Sequence, residues 1–143
     1  MRAVLLLAAV LVLGACAESG TTGEASSPSR TDAAGSSASD DDLVVEIDRG
    51  DGSAPERYTL NCADIAGSDH PSAQAACDHL AGLDAPFAAL PADMMCAQVY
   101  DGPETAHVTG RWHGEPVDLQ LARNDSCRTA QWDGLGPLLP GAG

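Results

Sequence analysis

Five cysteines, four histidines and a surplus of carboxylates are the side chains through which this 143-residue chain could do chemistry. Cys16 stands alone near the N-terminus, while Cys62, Cys77, Cys96 and Cys127 have 14, 18 and 30 residues between them. Zinc sites use closely spaced C-x2–4-C pairs, and these intervals contain none. In an exported chain an even set of four reads instead as two disulfides. His107 and His113, six apart on one expected strand, are the one histidine pair weighed for a shared metal ion. Scattered histidines are more often solvated surface groups, so no metal is expected. The chain has no phosphate-cradling glycine loop, no nucleophile elbow and no H-E-x-x-H helix. Nor do its carboxylates form a recognisable acid–base pair. Neither an enzyme nor a cofactor is expected.

Cys16 has its own explanation. Arg2 precedes an apolar run from Ala3 to Leu13, the layout of a secretory signal peptide and too short to span a bilayer. The run ends Leu13-Gly14-Ala15-Cys16, which matches a bacterial lipobox, in which the cysteine is acylated and becomes the new N-terminus. Residues 1–15 are thus expected to be a lipoprotein signal peptide. Residues 16–42, rich in Ser, Ala, Gly, Thr and acids, are expected to be a disordered linker joining a lipid on Cys16 to a domain. A flexible linker of that length spans about 30 Å. The protein is placed on the outer face of the cell membrane. A net charge of −14 with no lysine argues against nucleic acid or an anionic lipid surface as a partner.

Residues 43–143 remain for one domain. Leu43, Val45 and Ile47 alternate along one expected strand, and Tyr58 and Leu60 along a second, joined by the turn-rich RGDGSAPE. Ala73, Ala76, Cys77, Leu80 and Leu83 form a helical stripe, with Ser68 or Asp69 as the cap and Pro71 in the first turn. A shorter helix is expected over residues 85–90, closed by Pro91. Residues 104–113 and 115–124 read as two strands around a tight turn at His113-Gly114-Glu115-Pro116. The tail from Gln131 carries too much Gly and Pro for regular structure. The order implies an α+β domain, an antiparallel sheet with helices on one face.

The segments YTLNC (58–62), DHPSAQAACDHLAGL (69–83), MMCAQVYD (94–101) and GRWHGEPV (110–117), followed by Cys127, resemble the subtilisin inhibitor-like family of secreted bacterial serine protease inhibitors. The resemblance runs from about Leu43 to Arg128 and includes all four domain cysteines. It implies a five-stranded antiparallel sheet with two helices, disulfides Cys62–Cys77 and Cys96–Cys127, and a homodimer formed through the sheets. Closing loops of about 16 and 32 residues, such bridges stabilise by on the order of 3 to 4 kcal/mol each. It further implies a reactive bond at Gln98–Val99, flanked by Met95, Cys96 and Ala97 before it and Tyr100 and Asp101 after it. A subtilisin-like protease would be the partner.

Three features depart from the family pattern. Gln98 offers neither the charge a trypsin-like pocket needs nor the ring that suits a chymotrypsin-like one, whereas subtilisin-like pockets are broader. Ala97 stands where the family often has proline, leaving the free loop less restrained by about 0.5–1 kcal/mol. The lipid anchor is unlike the freely secreted family members. Two functions are therefore carried forward: a membrane-tethered protease inhibitor, and a non-inhibitory module that keeps the scaffold to bind another envelope protein.

Overall fold

The computed structural model describes residues 39–141. The expected signal peptide, Cys16 and most of the expected linker lie outside the described residues. Four antiparallel strands, β1 (Asp42–Asp48), β2 (Glu56–Asn61), β3 (Thr105–Trp112) and β4 (Glu115–Ala122), form one sheet in the order β2-β1-β3-β4. Two helices accompany it, α1 (Ala73–Ala81) and α2 (Ser126–Gly134).

The register follows from the alternation. Val45 stands opposite Tyr58 on one side and Val108 on the other, and Val108 stands opposite Leu119. Side chains along a strand point alternately to the two faces. That register therefore gathers Leu43, Val45, Ile47, Leu60, Val108 and Leu119 on one face, where all are buried. The other face carries Glu46, Arg57, His107 and Asp118, with an Arg57–Glu46 ion pair at 3.2 Å and a His107–Asp118 hydrogen bond at 2.7 Å. The apolar face joins α1 through Ala76, Cys77 and Leu80, and α2 through Trp132, in a single core.

The family pattern implies five strands, whereas the described residues contain four. The segment around Asp101 approaches the end of β4 by one backbone bond, from the Asp101 N–H to the Arg123 carbonyl at 2.9 Å, too little for a ladder. The sheet also starts earlier than the expected linker boundary. Asp42 opens β1, the Asp41 carboxylate accepts from the His113 N–H at 2.6 Å, and the Asp40 carbonyl accepts from Gly114 at 2.9 Å.

The β3–β4 turn is tighter than expected. His113 (φ 49°) and Gly114 (φ 79°) make it alone, both in the left-handed region that two-residue hairpins require. Glu115 and Pro116 belong to β4, an edge strand, where the missing proline N–H is tolerated. Gly110 is fixed by crowding: a Cβ there would lie 2.1 Å from the Asp42 carbonyl oxygen.

Ser68 and Asp69 do not cap α1, whose N-cap is Ser72. They serve the outer edge of β2 instead, Ser68 Oγ accepting from the Asn61 N–H at 2.8 Å and the Asp69 carboxylate accepting from the Thr59 N–H and hydroxyl. An edge strand whose donors are covered this way cannot pair with another chain there. The expected helix over 85–90 does not form. Two prolines, Pro86 and Pro91, bracket a stretch too short to nucleate one, and Phe87 packs edge-on to Trp112 with ring centroids 6.0 Å apart.

The tail is regular where irregular chain was expected. Asp125 caps α2 by accepting from the N–H groups of Cys127 (3.0 Å) and Arg128 (2.9 Å), and the first glycine interrupts only at Gly134. A 3-10 turn, Gly136–Leu138, follows. His70, which is buried, accepts from the Ser72 N–H on Nδ1, so its Nε2–H donates to the Leu138 carbonyl at 2.9 Å. His79 Nε2 contacts the Gly134 carbonyl at 2.9 Å, and Arg49 donates to the Pro140 carbonyl at 2.7 Å. Trp132, Leu135, Leu138 and Leu139 thereby enter the core. Replacing Trp132 by Ala is expected to cost about 3–5 kcal/mol, measured by denaturant unfolding. An unchanged unfolding midpoint would show that the tail contributes nothing to the fold.

Candidate functional site

The segment from Met94 to Asp101 has no helix or strand, yet its backbone is tied at particular points. Cys96 is bonded to Cys127 in the first turn of α2, and Cys62 to Cys77 on α1, the two pairings the resemblance implies. Ala97, next in the chain, is held from both sides. Its N–H donates to Ser126 Oγ at 3.0 Å, and its carbonyl accepts from the Ser126 N–H at 3.0 Å and the Val99 N–H at 2.8 Å. The Ala97–Val99 bond closes a three-residue turn with Gln98 at its apex.

The far side of the loop is held by charge. Asp101 pairs with Arg123 through the side chains and bonds to the Arg123 carbonyl through its N–H. The Asp101 carboxylate pushes the Arg123 guanidinium above its ordinary value, with Glu104 adding to the effect. Arg123 lies 5.9 Å over the ring of Trp132, so the anchor reaches into the core.

Between these anchors the side chains are open. Met95 is 97% exposed, Tyr100 67% and Val99 57%, and Gln98 is also exposed. Four apolar or uncharged side chains project from a backbone tied down at Cys96, Ala97 and Asp101. Such a segment offers no nucleophile with a base; it offers a held, accessible peptide bond between Gln98 and Val99.

The structure brings together every expected loop residue and adds three that sequence reasoning missed: Arg123, Asp125 and Ser126. A signal for two of them was present, since Asp125-Ser126 are N-cap residue types just ahead of Cys127. The Gly and Pro of the following tail hid the helix they cap.

The Asp125 carboxyl is held below the usual carboxylate range, first by the Arg128 N–H and further by the Arg128 guanidinium and the Cys127 N–H. Its oxygen lies within 4.8 Å of the Cys96 and Cys127 sulfurs, but both sulfurs are in the disulfide and the carboxylate is the cap. The histidine pair weighed as metal ligands does not converge. His107 bonds to Asp118 on the polar face, while His113 is in the turn, stacked on Trp112 at 4.6 Å. Six residues of strand separate ligands by roughly 20 Å, far beyond the reach of one ion.

Comparison with known proteins follows the same lines. The subtilisin inhibitor-like family pattern matches residues 39–123. Subtilisin inhibitor-like protein 4 of Streptomyces lavendulae is 40% identical over 91 residues, covering 59% of this chain and 78% of that protein. Plasminostreptin of Streptomyces antifibrinolyticus is 36% identical, covering 59% of this chain and 83% of its own. The crystal structure of Streptomyces caespitosus sermetstatin in complex with Bacillus licheniformis subtilisin aligns at a TM-score of 0.44 and 24% identity, covering 69% of this chain and 96% of sermetstatin. The first relative's name describes an inhibitor rather than an enzyme, in line with the absence of catalytic motifs in the sequence. With its α+β sheet, its two disulfides and this match, the chain belongs to the subtilisin inhibitor-like family.

Proposed function

We propose that this protein is a serine protease inhibitor that presents Gln98–Val99 to subtilisin-like proteases as a substrate would. The observation that carries the reading is the clamp on Ala97, immediately before the exposed Gln98 and two residues after the exposed Met95. A flexible peptide loses conformational freedom on entering a protease cleft, and a loop already held in place avoids most of that cost. If the bond is cut, the Cys96–Cys127 disulfide and the Asp101–Arg123 pair keep both new ends in place, which favours resealing over release. Gln98 fills the primary pocket, and Met95 enters an apolar pocket three residues upstream. The names of the relatives point to the same class of target.

Ala97 gains from the clamp part of what proline would give by its ring. Its N–H is the donor to Ser126 Oγ, a bond that a proline, lacking N–H, cannot make. A lipid on Cys16 holds the domain at the outer face of the membrane by the linker, and two copies associate through their sheets. The second reading, a binding module without inhibition, is favoured by the uncharged Gln98 at the apex of the turn.

Titration of subtilisin with the full chain tests the reading. Gln98→Met is expected to tighten inhibition, and Gln98→Gly to weaken it by about tenfold or more, the scale of losing apolar contact in a specificity pocket. Rapid cleavage at Gln98–Val99, or no inhibition at any ratio, favours the binding module.

The Asp125 cap gives the anchor a pH dependence. A carboxyl with a depressed folded value stabilises the fold above its unfolded value of about 3.9, and that contribution is lost as pH falls through the folded value. Asp51, Glu56 and Asp69 are lowered as well, so the informative quantity is a difference. Asp125→Asn, which keeps a cap without the charge, is expected to flatten the loss of thermal stability below about pH 4. Parallel curves for both proteins would remove Asp125 from the acid response.

A further inference from the structure

Met94 and Met95 are two of the three methionines in the sequence, the third being Met1. Met95 is 97% exposed and Met94 46%. Other side chains that peroxide attacks are shielded among the described residues. Trp112 and Trp132 are buried, and Cys62, Cys77, Cys96 and Cys127 are in disulfides. Oxidant sensitivity in the folded domain is therefore concentrated in two adjacent residues, both on the loop that carries Gln98–Val99.

We propose that Met95 is a reversible oxidation site through which peroxide switches the loop from a binding to a weakly binding state. This rests on the inhibitory reading of the same loop. The thioether sulfur of Met95 attacks one oxygen of hydrogen peroxide, the O–O bond breaks and an S=O bond forms. The second oxygen leaves as water with both protons. The sulfur is oxidised by two electrons and the peroxide reduced by two. The side chain changes from flexible and apolar to polar and chiral, unsuited to an apolar pocket. Because Met95 is held by no neighbour, the fold does not register the change and the effect falls on binding. Met94, less exposed and one residue further from Gln98, oxidises more slowly and with less consequence.

The test treats the purified full chain with hydrogen peroxide, locates the added oxygen by peptide mass spectrometry and titrates subtilisin before and after. Met95 is expected to oxidise first, with unfolding unchanged and inhibition weakened about tenfold or more. A methionine sulfoxide reductase with a dithiol restores tight inhibition. Met95→Leu, measured against its own untreated inhibition, is expected to resist peroxide, while Met94→Leu stays sensitive. An oxidised chain that inhibits as tightly as the untreated one overturns the proposal alone, as does an equal loss in Met95→Leu. An untreated chain that does not inhibit overturns the inhibitory reading and this proposal with it.

Discussion

The paired hydrogen bonds between Ala97 and Ser126 couple the one exposed, irregular segment of functional interest to the start of a helix. A helix leaves its first N–H groups without partners inside itself. In α2 the loop supplies one acceptor, the Ala97 carbonyl, and Asp125 supplies the rest for Cys127 and Arg128. The helix in return supplies Ser126 Oγ for the Ala97 N–H and Cys127 for the disulfide. Loop and helix end each satisfy groups the other would leave open. Cys96 and Ala97 are thus held without any regular structure of their own.

That arrangement is only as firm as α2, which is held from behind. Trp132 is buried under the apolar face of the sheet, and Arg123 at the end of β4 lies over its ring while pairing with Asp101. His79 on α1 contacts the Gly134 carbonyl at the other end of the helix, and His70 fixes the turn beyond it. The histidines that looked like spare surface groups are fasteners between α1 and the C-terminal segment. Sheet, helices and tail converge on one platform, and the exposed loop rests on it.

The sheet divides the remaining surface in a complementary way. One face is mostly apolar and covered; the other is charged and open, with its acids and bases partly matched in pairs. The outer edge of β2 is closed by Ser68, Asp69 and the backbone N–H groups of Asp69 and His70. Large apolar side chains left in solvent are consequently few, and Met94, Met95, Val99 and Tyr100 lie together on the loop. In a chain this acidic, a small uncharged patch is a local exception to the surrounding surface.

Alternation alone determined the inner faces of β1 and β2, because a strand buried on one side admits a single register. The stripe from Ala73 to Leu83 determined α1, and the chain motifs determined the loop. These are local patterns, and local physics suffices for them. The boundaries that failed depend on partners distant in sequence. Ser68 and Asp69 are good cap residues, but β2 offers them bonds that α1 does not. Residues 85–90 have helical composition, but prolines at both sides leave no length to nucleate. The Gly- and Pro-rich tail has weak local preference, and only the core beneath Trp132 and the bonds from His70, His79 and Arg49 make it regular. The clamp on Ala97 is of the same kind: Ser126 lies 29 residues away, and no pattern in either segment names the other. The sequence by itself determined which residues of β1, β2 and α1 face the core, and its motifs marked the loop. Tertiary structure decided how that loop is held, because hydrogen bonds between remote segments exist only once the sheet and α2 have brought their ends together.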